Sequence, residues 1–323
     1  MTSFARRTIM HSAPHPLGLP RVNFWDTHLQ LIIGYAAIAV TVLVWAGFAL
    51  STRAAAASQL TIGDVAIIRS GIPALVFLPF LPKRIGMLRR LPLRNWAMIG
   101  IGAGAPFFWL AASGGVQTSA THVSALIAGT VPVSVAVLSW LMYRERPKPS
   151  VVVALALILL GVAALIAASG SLAAGSVAGM AMLLGASLFW ATYTLGVRGS
   201  GLDPVGCALV LALPSAIVLP PLLATGVLPS NLAHVSLHDA LPFILAQGVG
   251  AGLVATLTYA IAIARLGAAK AATIGSLAPA LAAVMAVPLL GEALSIGTAL
   301  AVMLICAGVM LANRTRAVRT PAP

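Results

Sequence analysis

Ten long apolar runs constrain this chain more than any other feature of it. They lie at about 31–51, 65–82, 96–115, 118–142, 150–168, 176–197, 204–225, 241–263, 267–290 and 295–312. Each approaches the roughly 20 residues that a helix needs to cross the hydrocarbon core of a bilayer. Inside lipid a backbone must satisfy its own hydrogen bonds, so a spanning segment is a helix or part of a closed barrel. Barrel strands take about 9–11 residues and alternate apolar with polar; these runs are longer and do not alternate. The sequence therefore reads as an all-α integral membrane protein with ten transmembrane helices. Only 8% of the 323 residues are charged, against about 25% in a soluble domain. The third and fourth runs are separated only by the turn signals Gly114, Gly115, Gln117 and Thr118. The longest gap, 226–240, reads as an external loop.

A net charge of +13 would suit a nucleic-acid binder if the charge were gathered on one face of a soluble fold. Here the basic residues fall in short clusters between apolar runs, as in the cytoplasmic segments of membrane proteins. With the N-terminus placed in the cytoplasm, inside segments hold Arg6, Arg7, Arg21, Lys83, Arg84, Arg89, Arg90, Arg94, Arg144, Arg146, Lys148, Arg198, Arg265, Arg314, Arg316 and Arg319. Outside loops hold only Arg53, and Arg69 and Lys270 lie within runs. An even number of spans returns the C-terminus to the same side. Residues 1–30 and 313–323 read as cytoplasmic tails. Arg6-Arg7 is not promptly followed by the apolar stretch of an export leader. The expected partners are the lipid bilayer and a small-molecule substrate, with a homo-oligomer left open and no nucleic acid. Cys207 and Cys306 lie in apolar runs without disulfide or metal spacing, and no cofactor or metal is expected.

The runs also repeat. Pro132 and Pro279, Glu145 and Glu292, and Gly161 and Gly308 are each 147 residues apart. Ile101-Gly-Ala-Gly104 matches Val249-Gly-Ala-Gly252 at 148, and Trp45 and Arg53 match Trp190 and Arg198 at 145. This colinear series predicts two five-helix repeats, 31–168 and 176–312. Five is odd, so the second repeat must be inverted in the membrane. Inverted repeats recur in secondary transporters, where the two halves can exchange conformations around one site.

On these residues the chain resembles the EamA-type branch of the drug/metabolite transporter superfamily. The resemblance rests on the five-plus-five arrangement and on an acidic turn before the last span of each half: Pro132…Tyr143-Arg-Glu145-Arg and Pro279…Leu290-Gly-Glu292-Ala. It also rests on Ile68-Arg69-Ser70 in the second span. The first half departs slightly, with Arg-Glu where Gly-Glu is usual. The resemblance covers about 31–312 and implies a transporter of amino acids, other metabolites, drugs or nucleotide-linked sugars. It further implies a central cavity with the fifth and tenth spans more peripheral, and, for bacterial members, export across the inner membrane. Its motifs specify architecture rather than substrate.

Charged groups inside a membrane are costly and are functional candidates by default. Arg69 and Lys270 each lie about one turn inside a span end. Both fit either a snorkelling surface cation or a contact to an anionic substrate group. His122, which matches Ala269 beside Lys270, fits either a packing role or a gate. Trp45, Trp109, Trp190, Tyr193 and Tyr259 lie within spans, where they could pack or stack on a substrate. Pro106, Pro132 and Pro279 can bend helices and free carbonyls, which makes them hinge candidates. The six carboxylates, Asp26, Asp64, Glu145, Asp203, Asp239 and Glu292, all fall at helix ends or in loops. That distribution favours a facilitator, or proton coupling through His122. A membrane-embedded enzyme would need a converging acid, base or metal set at depth, and a channel a repeated polar lining. The sequence offers neither pattern.

Overall fold

The structure, a computed structural model, describes residues 24–168, 174–198 and 200–317. The N-terminal tail with Arg6, Arg7 and Arg21 lies outside the described residues, as does Arg319. Among the described residues ten helices are long and apolar enough to cross a membrane. They are α1 (His28–Ala57), α2 (Ile62–Arg90), α3 (Leu93–Val116), α4 (Ala120–Tyr143), α5 (Pro149–Ala168), α6 (Ser176–Val197), α7 (Pro204–Ala224), α8 (Leu237–Leu266), α9 (Lys270–Leu290) and α10 (Ile296–Asn313). The turn between α3 and α4 falls at Gln117 to Ser119, where the sequence marks it.

Two boundaries differ from the hydropathy reading. α2 continues to Arg90, well past residue 82. The added turns, Leu81–Arg90, are amphipathic and basic and bury Leu88, so hydropathy ends there while the helix does not. α8 starts at Leu237 rather than 241, which shortens the preceding loop. Ser236 caps it, accepting from the Asp239 amide and donating to Asp239 Oδ2. α8 also contains a wide-turned π segment, Ile244–Val254, which no apolar periodicity announced.

Most helix contacts follow one rule, that exchanging each helix with the one five places on maps contact onto contact; α1 also packs on α3 and α4, without a comparable counterpart from α6 to α8 and α9. α1 packs on α8 and α6 on α3; α1 packs on α9 and α6 on α4; α2 packs on α8 and α7 on α3. The pairs α2–α7, α4–α9 and α5–α10 map onto themselves. This is the pseudo-twofold relation of inverted repeats. It is sharpest where α5 crosses α10. A Cβ on Gly161 would stand 2.9 Å from the Ile305 amide nitrogen and 3.1 Å from the Ala301 carbonyl oxygen. A Cβ on Gly308 would stand 2.9 Å from the Ile158 nitrogen and 3.0 Å from the Ala154 oxygen. Ile158 and Ile305, and Ala154 and Ala301, are again 147 apart. Small residues let membrane helices approach this closely.

The acidic turns share one backbone form. α4 ends with Arg144 in the left-handed region (φ 57°), its amide donating to Trp140 O and that of Glu145 to Ser139 O. α9 ends with Gly291 at φ 65°, its amide donating to Val287 O and that of Glu292 to Ala286 O. These bonds are the Schellman pattern, in which glycine is the unstrained residue. The first half's departure from Gly-Glu therefore puts an arginine in a conformation that favours glycine.

Candidate functional site

α3, α4 and α9 are discontinuous. α3 breaks at Gly104, and the freed Ala105 amide donates to Ser215 Oγ of α7 at 3.0 Å. α4 breaks before Val131, where the Thr130 hydroxyl donates to Ser187 Oγ of α6 at 2.8 Å. α9 breaks at Ser276 and Leu277, and Cys306 of α10 covers the Ser276 carbonyl at 3.2 Å. Irregular backbone at membrane depth survives only where protein satisfies it. Pro106, Pro132 and Pro279 each stand in the first two residues of the helix that restarts after a break. Proline lacks the amide that would go unpaired there.

Arg69 lies deeper than its distance from the run's edge suggests. α2 begins at Ile62, so Arg69 is about 10 Å along the axis at ~1.5 Å per residue. It is 9% exposed. Its guanidinium sits 5.0 Å from the Phe48 ring centroid, 5.6 Å from Phe108 and 5.9 Å from Phe107. Nη1 donates to Gln247 Oε1 at 3.2 Å. Gln247, fully buried in the π segment of α8, donates in turn to Ser51 Oγ at 2.8 Å and Thr52 Oγ1 at 3.1 Å. Two glycines bring α8 this close: a Cβ on Gly248 would press on Ile68, and one on Gly252 on Pro73 and the Arg69 carbonyl. Among the described residues no carboxylate pairs with Arg69. A guanidinium has five donors; here one meets an acceptor and three aromatic faces supply cation–π attraction.

From Arg69 a series of aromatic contacts runs from α1 through α3 to α6. Phe107 stacks near Phe48 (6.3 Å between centroids) and meets Trp190 at 5.2 Å. Trp190 meets Tyr193 at 5.2 Å, and in a second pair Tyr259 packs on Trp45 at 5.0 Å. Tyr193 and Tyr259 are half-buried. Among the described residues neither hydroxyl meets a protein hydrogen-bond partner. Trp45 and Trp190, 145 residues apart, stand on the first helix of each half, each against an aromatic from the third helix of the other half.

The structure thus links Arg69 through Phe107 to Trp190 and Tyr193, and pairs Trp45 with Tyr259. Trp109 is half-buried and outside the path. His122 lies at the start of α4, its Nδ1 2.6 Å from Ser119 Oγ. Lys270 is exposed at the start of α9, 5.8 Å from the exposed Tyr35 ring. Phe48, Phe107 and Gln247 were not singled out from the sequence. Gln247 carried a legible signal, an amide in the middle of an apolar span, whereas the two phenylalanines did not stand out among other apolar residues.

Each end of the bundle is tied by an Arg–Glu pair that joins the halves. At one end Arg198, after α6, donates to both oxygens of Glu145, after α4, at 2.8 and 3.0 Å. This pairing holds the Glu145 carboxyl below its ordinary range and raises Arg198. The same end carries Arg84, which donates to Asp203 at 2.6 Å and depresses that carboxyl. At the opposite end Arg53 Nε stands 3.9 Å from Glu292 Oε1. Asp64 at that end accepts from Thr61, Ser230 and Asn231, tying α2 to the loop before α8.

A family model described as the EamA-like transporter family matches residues 32–167 and again 177–314. Among curated proteins none matches. One solved structure, described only as the crystal structure of a protein, superposes with a TM-score of 0.58 at 21% identity, covering 91% of this chain and 99% of that one. At that identity the likeness is one of fold.

Proposed function

This chain belongs to the EamA-like transporter family and is a multi-pass membrane transporter of small molecules, and from that premise we propose that it exports an amino acid or closely related metabolite by alternating access. The observation that carries the reading is Arg69: a buried guanidinium with no carboxylate partner among the described residues, at the head of an aromatic wall. A cargo carboxylate would complete its unmet donors in a medium where charge-assisted bonds are strong. Trp45, Trp190, Tyr193 and Tyr259 would cover the cargo's apolar part, and the two free hydroxyls would take its polar group. Pro106, Pro132 and Pro279, at the broken helices, are the proposed hinges. The basic clusters support a reading with both termini in the cytoplasm, and the membrane is proposed to be a bacterial inner membrane. The test is flux of a labelled amino-acid panel in proteoliposomes, with and without a proton gradient. Saturable movement of one amino acid, lost in Arg69→Ala and reduced in Arg69→Lys, is the expected result. A folded protein that moves none of the panel would overturn the cargo assignment.

A further inference from the structure

α2 is longer than a bilayer requires. Its 29 residues make about 43 Å at ~1.5 Å each, against a hydrocarbon core of about 30 Å. Ile62 to Pro82 already fills that core, so Lys83 to Arg90 lies at headgroup level. The equivalent helix α7 has no such extension. The caps Thr61 and Asp203 are 142 residues apart, so 225–232 matches 83–90; that stretch follows the end of α7 at Ala224 and holds no cation.

The extension is anchored on one side and open on the other. Leu88 and Leu91 are buried with Ala208 and Leu209 of α7, and Arg84 is held by Asp203 at 2.6 Å. Lys83, Gly86 and Arg90, at i, i+3 and i+7, share the exposed face, with Arg89 beside them. A Cβ on Gly86 would meet nothing within 4 Å, so the backbone between Lys83 and Arg90 is accessible. Among the described residues neither these two nor Arg89 pairs with a carboxylate. A cleft of about 360 Å³ opens beside Lys83, Arg84, Met87 and Asp203; Arg84 already neutralises the one acid in it. Toward the bilayer the same face continues as Pro82, Pro79 and Leu75, all exposed.

We propose that this face of α2 binds an anionic phospholipid, its phosphate over Gly86 between Lys83 and Arg90 and its acyl chains along Pro82, Pro79 and Leu75. Phosphate meets Lys and Arg in charge-assisted hydrogen bonds, and basic amphipathic segments at a membrane surface attract anionic lipid. The apolar half of the stripe selects a phosphate that carries acyl chains and offers a free anion nothing. The inference depends on the chain spanning a membrane and not on its cargo.

The test uses the full-length protein in phosphatidylcholine nanodiscs, with Cys207 and Cys306 replaced by alanine and a fluorophore at Leu93→Cys. Phosphatidylglycerol or phosphatidylcholine bearing a nitroxide at the top of one acyl chain is added as quencher. Phosphatidylglycerol should quench more strongly at equal content. Its enrichment should fall by up to about fivefold for each cation removed, from about 1 kcal/mol per Lys or Arg near an anionic surface, and vanish in Lys83→Gln/Arg89→Gln/Arg90→Gln. Arg89→Lys/Arg90→Lys, which keeps the charge, should retain it, as should Arg146→Gln/Lys148→Gln, and excess inorganic phosphate should not displace it. Equal quenching by the two lipids, enrichment that survives the triple variant, its loss in Arg146→Gln/Lys148→Gln or in the charge-keeping variant, or displacement by inorganic phosphate would overturn the proposal.

Discussion

Replacing Gly308 by alanine puts a methyl group into the α5–α10 crossing. It would lie 2.7 Å from Ile158 Cγ1, 2.9 Å from its nitrogen and 3.0 Å from the Ala154 oxygen. Carbon contacts are comfortable at about 3.5–4.0 Å, so the helices must separate by roughly 0.5–1 Å. Two of the three obstacles are backbone, which a rotamer change cannot move. Overpacking of this kind costs about 1–3 kcal/mol. Alanine's helix preference returns roughly 0.5–1 kcal/mol. Gly47→Ala, where a Cβ meets nothing within 4 Å, measures that return alone. The clash is then the difference between the two variants, about 1–3 kcal/mol, read from reversible unfolding in mixed micelles. Gly161→Ala should cost the same to within about 0.5 kcal/mol. The double variant should cost less than the sum, because one separation relieves both contacts. Unequal single costs, or a fully additive double, would refute the symmetric crossing.

Three further outcomes follow from the geometry. Arg144→Gly should stabilise the protein by about 1 kcal/mol and Gly291→Ala destabilise it similarly, since both occupy the left-handed Schellman position; paired melting curves check this. Gln247→Leu removes the acceptor of a buried guanidinium, costing about 1.5–3 kcal/mol, whereas Gln247→Glu supplies Arg69 with a carboxylate and should abolish flux while leaving the fold intact, as flux and unfolding measured together will show. Asp203, held below its ordinary range by Arg84, contributes stability that is present above its unfolded pKa and lost as pH falls through the depressed folded value. The gap in melting temperature between wild type and Asp203→Asn should therefore be full at neutral pH and close in acid.

The architecture was legible because lipid enforces it. Span count follows from hydropathy, and inversion follows from the odd number of spans in each repeat. The 147-residue offset paired Gly161 with Gly308 as equivalent positions, and the structure adds that their helices cross there. The helix ends were less legible. Leu81–Arg90 is too basic to score as a span but amphipathic enough to remain helical. The site was half legible. Arg69 stood out because a charge in an apolar run is costly, and the tryptophans because they matched across the repeat. Lys270 carried the same sequence signal as Arg69, yet it faces outward against Tyr35. One-dimensional depth cannot distinguish a cation aimed at the bundle from one that snorkels. The π segment was silent because its wider turn is set by packing against α2, through Gly248, Gly252 and Gln247, and not by a periodic pattern.

The departures from symmetry are informative because the backbone repeats so closely. Thr61 and Asp203 cap equivalent helices, so the residue eight places on from each should match. One is Arg69 and the other Leu211. The glycines at 100 and 248 are equivalent, and the residue before each is Ile99 in one half and Gln247 in the other. Arginine and its amide partner therefore stand together, on two helices that touch, in one half-site only. A requirement of the shared α2–α8 and α7–α3 packing would fall on both halves alike. A cargo with one charged end has no twofold axis, and a site that binds it must break the symmetry of the scaffold at the place where that charge lies.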